Sequence, residues 1–429
     1  MNRLTSPARS ATAQADRSLR RVAVIWGLLF LNGIGSPATG SVIPLPHPVF
    51  QVITQGALPV ALLLALTVNR NLLIRPNLFL GIFTVLATLS VMMSIRLVSF
   101  GTAYRGFRLI GFVAVLWLLT PWWRDRGLVL VRSQLIVLSC ILVSLVLGFA
   151  ISPSKAFSLN YGSARLDGAI WPLPATAVGH YMAELTGLII ILWACGAVRR
   201  KPALLLIGLG LFGLIASHTR TALIGLLIGL LVAGLSLFMS NRRVRQAFLV
   251  VIVVALTVLL PLSPLVSSWL IRGQSSEAIG SLSGRTSYWH MVLSEPRPET
   301  NKLLGSGMTN DSVQNGVPGE NGLPIDSSWI ATYQNQGVVG CVLLGLSFLI
   351  LVLLALRRPP GVTRALALFL IAYSVFSSFT ETGAGEATPH LLDVTLAASL
   401  LVPRARLVAA SARLRFDREA RFATSQLTP

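Results

Sequence analysis

Charge is what this sequence has least of. Only 12% of its 429 residues are charged, and just 15 are Asp or Glu, where an ordinary soluble domain is about 25% charged. Cysteine is nearly absent too. Cys140, Cys195 and Cys341 each lie inside an apolar run without metal-ligand spacing, so they read as small packed hydrophobes and no metal is expected. There is no low-complexity segment and no convincing internal repeat. The apolar stretches do not alternate in short ~10-residue segments, which excludes a transmembrane β-barrel.

What is there instead is hydrophobic sequence, 54% of the chain, gathered into runs that reach or approach the roughly 20 residues a helix needs to cross a bilayer. The runs predict spans at 22–37, 49–68, 77–95, 106–121, 130–151, 173–197, 202–217, 221–240, 247–271, 328–356, 363–379 and 388–402. The expected fold is an all-α polytopic membrane protein of about 12 transmembrane helices. Its expected parts are a cytoplasmic N-tail (1–21), a single transmembrane domain (22–402) with one large outer loop (273–327), and a basic cytoplasmic C-tail (403–429).

The net charge of +20 raises the question of nucleic acid. The basic residues sit between apolar spans rather than on one domain, so no nucleic-acid partner is expected. With the N-terminus inside, cytoplasmic segments collect most of them. They include Arg17, Arg20 and Arg21; Arg70 and Arg75; Arg124, Arg126 and Arg132; Arg199, Arg200 and Lys201; Arg242, Arg243 and Arg245; Arg357, Arg358 and Arg364; and the arginines from Arg404 onward. Every even-numbered boundary is basic, which supports the span count, an inner (plasma) membrane location and two cytoplasmic ends. The C-tail from Arg404 reads as a basic surface helix on anionic lipid. Small residues at Ser36, Ala38 and Gly40 leave a cleaved first segment open, with an uncleaved helix expected.

The outward basic residues depart from that trend and need a reason. They are Arg96, Arg105, Arg108, Lys155, Arg165, Arg220, Arg272, Arg285, Arg297 and Lys302. The large outer loop is rich in Gly, Ser, Asn and Pro, with a short helix expected around Thr286–Leu293. Loops of that length are often functional.

Four constellations stand out. In Ser217-His218-Thr219-Arg220-Thr221-Ala222 an arginine opens a helix at the outer interface. A guanidinium with five fixed donors beside a helix N-terminus suits a phosphate, and a headgroup anchor is as plausible. In Gly284-Arg285-Thr286-Ser287-Tyr288-Trp289 the local reading is a solvated arginine with Trp289 packing onto the membrane surface. Asp326, entering the tenth span ahead of Gly337 and Gly340, can be a general base, an ion-pair partner or a helix cap. Arg165-Leu166-Asp167-Gly168 with Pro172 and Pro174 leads into a span where His180 and Glu184 share a face at i,i+4. An intramembrane carboxylate is a functional hypothesis by default, and a His–Glu pair tying two helices is the structural alternative. Arg105 and Arg108 also share a face, as an anion site or an anchor.

The order and spacing of these motifs resemble the O-antigen ligase and O-antigen polymerase superfamily of membrane glycosyltransferases. That pattern has Arg-x-x-Gly with prolines before a mid-chain helix, then Ser-x-x-Arg-x-Ala at a tight outer turn. A large loop then carries Gly-Arg-x-x-x-Trp and Gly-x-Gly, and ends in His-Asn or Asp-Asn ahead of Gly-x-x-Gly. Here these are Arg165–Gly168, Ser217–Ala222, Gly284–Trp289, Gly305-Ser306-Gly307, and Asp326 before Gly337 and Gly340. Two departures stand: Asp326 occupies the place where ligases carry histidine, and Ser327 replaces the asparagine. His218 is not in the corresponding place, and aspartate looks more like the polymerase branch.

The resemblance implies a cofactor-free, metal-independent glycosyl transfer on the outer face. The donor would be an undecaprenyl-pyrophosphate-linked oligosaccharide and the acceptor a glycan. Membrane lipids, and other polysaccharide assembly proteins, would be its surroundings. Arg220, Arg285 and Asp326 would be catalytic. Arg165, Arg105, Arg108, His218, Trp289, Glu184 and His180 would contact substrate. The close alternative is ligase-type transfer to a different lipid or protein. A lipid-linked glycan transporter or flippase is an alternative of another class, and a scaffold for envelope synthesis a third. A transporter should show paired repeats and ionisable groups deep in several spans, and here only His180 with Glu184 is such a pair.

Overall fold

The computed structural model describes residues 7–34, 42, 46–95, 100–125, 128–160, 163–238, 245–246, 269, 280, 285–308, 312–313 and 323–402. Its helices are α1 (Pro7–Gly33), α2 (His47–Val68), α3 (Leu78–Ser94), α4 (Phe100–Leu119), α5 (Pro121–Asp125), α6 (Val129–Ile151), α7 (Pro153–Ala156), α8 (Ala175–Ala194), α9 (Arg200–Ala216), α10 (Arg220–Phe238), α11 (Arg285–Ser294), α12 (Glu299–Leu304), α13 (Ser328–Leu356), α14 (Val362–Ser377) and α15 (Pro389–Leu400). A helix stands on each expected span except 247–271, which lies almost wholly outside the described residues, as does the basic segment from Arg404. The short helix expected in the large loop is α11.

By length and composition, the helices at Pro48–Val68, Val129–Ile151, Ala175–Ala194, Arg220–Phe238 and Ser328–Leu356 are sufficient to cross a membrane, and α3 and α14 are shorter apolar helices. Burial sorts them into inner and outer elements. Residues 178–189 of α8 are all buried, as is nearly all of α15, the mark of a helix surrounded by others. The longer outer helices expose apolar side chains such as Leu63, Val143, Leu227 and Leu349, which fits a surface solvated by lipid. Around α8 pack α9, α10 and α14; α14 also carries α10 and α15, while α13 lies on α3. Two short antiparallel hairpins, absent from the all-α expectation, interrupt the helices. One pairs β1 (Phe157–Asn160) with β2 (Ser163–Leu166), the other β3 (Ser312–Val313) with β4 (Leu323–Pro324).

The long helix α13 is broken at Gly337, where φ is 65° and ψ −162°. The break leaves carbonyls without their helical donors, and loop amides supply them. Ser306 N donates to the Gln334 carbonyl (2.8 Å) and Gly307 N to that of Asn335 (3.0 Å). The approach is backbone to backbone: a Cβ on Gly337 would lie 2.4 Å from the Leu303 carbonyl carbon, and one on Gly305 (φ 82°) 2.3 Å from that of Asn335. The Gly-Ser-Gly motif and the first glycine of the Gly-x-x-Gly thus dock the large loop onto α13.

Gly337→Ala should cost about 2 kcal/mol, because it combines a left-handed backbone with a closed contact. On the same helix, Gly345→Ala meets only ordinary contacts beyond 3.4 Å and should be neutral or mildly stabilising. Thermal unfolding of both variants in detergent checks the contrast.

Candidate functional site

One end of the bundle is organised by the start of α13. Its first amide, Ser328 N, donates to the carbonyls of Ser378 and Glu381, both at 2.9 Å. Ser328 Oγ donates to the Glu381 carbonyl (2.7 Å) and accepts from Ala384 N (3.1 Å), while Trp329 Nε1 donates to Ser378 Oγ (2.9 Å). These bonds fasten the turn after α14 to the helix start and bring Glu381 beside Asp326. Into the gap reaches Arg285, the first residue of α11. Its Nε is 3.0 Å from Asp326 Oδ2 and its Nη2 4.0 Å from Glu381 Oε1. The α11 segment is held by a small cluster of Val292, Ile325 and Ala331, and Arg297 lies over the Tyr333 ring at 5.7 Å. Of the three roles open to Asp326, the geometry shows the ion pair; the cap position belongs to Ser327.

The two carboxylates differ. Burial pushes the Asp326 carboxyl above its ordinary range; Arg285 opposes this and Glu381 adds to it. Burial also pushes Glu381 up, but His180 close by, with Arg285 and His390, outweighs it and holds the carboxyl low. Glu381 is therefore the firmly ionised member, and Asp326 the one more ready to hold a proton.

Beneath Glu381 stands His180. Its Nδ1 is 2.6 Å from the Tyr373 hydroxyl, and its Nε2 is 3.3 Å from Glu381 Oε1. That second contact lacks hydrogen-bond alignment, and neither atom has a hydrogen-bond partner. His390 stacks edge-on at 5.5 Å. One turn further on α8, Glu184 accepts from Gln134 Nε2 (2.8 Å), which also reaches Asp393 (3.1 Å), while Trp26 Nε1 donates to Gln134 Oε1 (2.6 Å). His180 and Glu184 share a face as expected, yet each finds its partners on different neighbouring helices rather than forming a His–Glu pair.

The turn before α10 is clamped from two sides. Thr219 Oγ1 donates to the Ala175 carbonyl (3.0 Å), and Arg165 Nε donates to the Ser217 carbonyl (2.9 Å). A Cβ on Gly179 would stand 2.5 Å from Thr219 Oγ1, so α8 touches the turn directly. His218 takes a positive φ of 49° and stacks on Trp269 at 5.6 Å, leaving Arg220 as the first residue of α10. Arg165 is buried and serves to fasten this turn. Arg108 is similarly engaged: Nε bonds Asn32 Oδ1 (2.9 Å), and Nη2 bonds the carbonyls of Asn32 (3.0 Å) and Ala387 (2.8 Å). Arg105 lines a cavity beside it. The Trp289 indole N–H is buried without a hydrogen-bond partner.

Four participants lie outside the sequence expectations: Glu381, Tyr373, Gln134 and Asp393. The signal for Glu381 was the scarcity of acids, since one in a short turn between two apolar helices, Thr380-Glu381-Thr382, has few reasons to be there.

Apolar helices of this length, packed around a buried polar column with an ionic cluster at one end, define a multi-pass membrane protein. Residues 203–345 match the model of the O-antigen ligase family, which supports the O-antigen ligase/polymerase superfamily for this chain. That family is associated with glycosyltransferase or ligase activity in O-antigen biosynthesis, acting in general on lipid-linked oligosaccharide and polysaccharide acceptors. The matched stretch contains Arg220, Arg285 and Asp326; Arg105, Arg108, Arg165, His180, Glu184 and Glu381 lie beyond it. A comparison with curated proteins gives no match.

Gln134→Leu keeps the volume but strips Glu184, Asp393 and Trp26 of a shared partner. It should lower stability by about 2–3 kcal/mol, read as a fall in the unfolding midpoint in detergent.

Proposed function

We propose that this protein is a repeat-unit polymerase that transfers glycan from an undecaprenyl-pyrophosphate donor to a growing surface polysaccharide, without a metal, on the outer face of the inner membrane. The proposed topology has about twelve crossings, residues 273–327 outside, and the 1–21 and 403–429 tails in the cytoplasm. The observation that carries this reading is the meeting of Arg285, Asp326 and Glu381 at one end of the bundle. Two of those three residues, with Arg220, lie in the family match.

The transfer breaks the bond between the donor's anomeric carbon and the pyrophosphate, and forms one to an acceptor hydroxyl oxygen. Negative charge grows on the departing pyrophosphate. Arg220 and Arg285 stabilise that charge, an effect worth several kcal/mol in a water-poor site. In the resting arrangement Arg285 is already balanced by two carboxylates, so an arriving pyrophosphate exchanges with them for its donors. Glu381 stays held by its backbone and by His180. Asp326, released from Arg285, takes the acceptor's proton, a role suited to a carboxyl whose proton affinity burial has raised. Arg165 keeps the turn of Arg220 in place.

A second reading draws on the family's description as O-antigen ligase: the same chemistry delivering glycan to a different lipid or protein acceptor. The experiment is purified protein in nanodiscs with a defined lipid-pyrophosphate-linked repeat and no added metal or nucleotide. A ladder of products, reduced about 10²–10³-fold by Arg220→Ala and by Arg285→Ala, is the expected result. Glycan delivered once to a separate acceptor would shift the conclusion to the ligase. Donor binding without turnover, under any acceptor tried, would contradict both and favour transport.

A further inference from the structure

A second polar site lies along α13 from the ionic cluster. Between the outer part of α4, the docked Gly-Ser-Gly segment, the first turns of α13 and the 386–388 turn is a cavity of about 210 Å³. Its lining includes Arg105, Arg108, Met308, Asn335, Glu386 and Thr388. The Asn335 residue is only 2% exposed, and its side-chain amide makes no hydrogen bond with any described residue. The amide borders the cavity, where a polar group of a ligand can meet it. Arg108 presents a similar surplus. Its Nε and Nη2 are spent on Asn32 and Ala387, while Nη1 bonds no described residue.

We propose that this cavity is a glycan subsite that holds one sugar ring of the lipid-linked repeat through its hydroxyl groups, beside the sugar that reacts. The inference rests on the glycosyltransferase reading above. Its chemistry is that of hydroxyl recognition. A primary amide offers two donors and an acceptor, a guanidinium donates, a carboxylate accepts, and Met308 and the stem of Arg105 supply apolar surface for the ring. The volume accepts one ring and not a whole repeat, being smaller than the roughly 300–1,000 Å³ of drug-sized pockets. The placement is also informative. Asn335 stands two residues before the break at Gly337, so the kink that docks the large loop also sets the amide. The turn that delivers Glu381 to Arg285 continues into Glu386 and Thr388 at the cavity. One short segment therefore spans the reacting end and the sugar beside it, which lets the site select repeat units by composition.

The test is equilibrium binding to the full-length protein in nanodiscs with three probes: the complete lipid-pyrophosphate repeat, a truncated donor carrying only its reacting sugar, and undecaprenyl pyrophosphate without glycan. Because the Asn335 side chain bonds no described residue, Asn335→Ala and Asn335→Leu should fold and melt like wild type. Both should weaken the complete repeat about tenfold or more and leave the truncated donor within about threefold, tenfold being the loss of one good hydrogen bond. In turnover the same variants should raise KM for the complete repeat with little change in kcat. A wild type that binds complete and truncated donors equally, or variants that weaken the glycan-free lipid as much as the repeat, overturns the subsite; the latter would make it an anion site. Failure of the glycosyltransferase reading is distinguishable, because it appears as absent transfer while discrimination between the donors is still measured.

Discussion

An ionised side chain taken out of water must meet a partner, and around Arg285 the partners come from other elements. That constraint arranges the whole Arg285 end of the bundle. Arg285 arrives on a loop helix, Asp326 on the approach to α13, and Glu381 on the turn after α14. Leaving any of the three alone would carry a desolvation penalty. Bringing them together requires the 378–384 turn to be tied to the first residue of α13, and it is, through four hydrogen bonds on Ser328. The same rule continues inward. His180 sits between Tyr373 and Glu381, and Gln134 serves Glu184, Asp393 and Trp26 at once.

This arrangement links stability to chemistry. A guanidinium balanced by two carboxylates is a stable resting state, and it is also a poised one, since an anion of higher charge can take over its donors. The elements around it are held by backbone contacts that substitution at the ionic side chains leaves in place: the turn on α13, the loop glycines on the kink, and Arg165 on the Ser217 carbonyl. Side chains at the site can thus exchange partners while the scaffold keeps its shape. The contrast between Asp326, whose carboxyl burial raises, and Glu381, which its neighbours hold low, suits the proposed division of one for the proton and the other for the framework.

Much of this was legible in the sequence, for identifiable reasons. Apolar runs near twenty residues long located the helices, because a bilayer leaves no alternative for them. Arginines expected against the charge trend included Arg285, which lies between Asp326 and Glu381 in the structure, and Arg220, which opens α10. The Gly-Ser-Gly and Gly337 signals were visible, but their purpose, a backbone contact over a broken helix, needed three dimensions. Arg108 and Arg165 read as substrate contacts, and the structure shows donors of each turned to carbonyls, a choice that depends on tertiary neighbours. Glu381 and Asp393 escaped notice because each stands far along the chain from its partner; Gln134 and Asp393, for example, are 259 residues apart.

The central claim is that the outer cluster around Arg285 receives the donor's pyrophosphate. The most direct measurement is an experimental structure of the protein in nanodiscs with the lipid-pyrophosphate donor bound. The account predicts pyrophosphate oxygens within hydrogen-bond distance of Arg285 and Arg220, with Asp326 displaced from the Arg285 Nε it contacts at rest. A pyrophosphate bound elsewhere, with the Arg285–Asp326 pair intact, would contradict it.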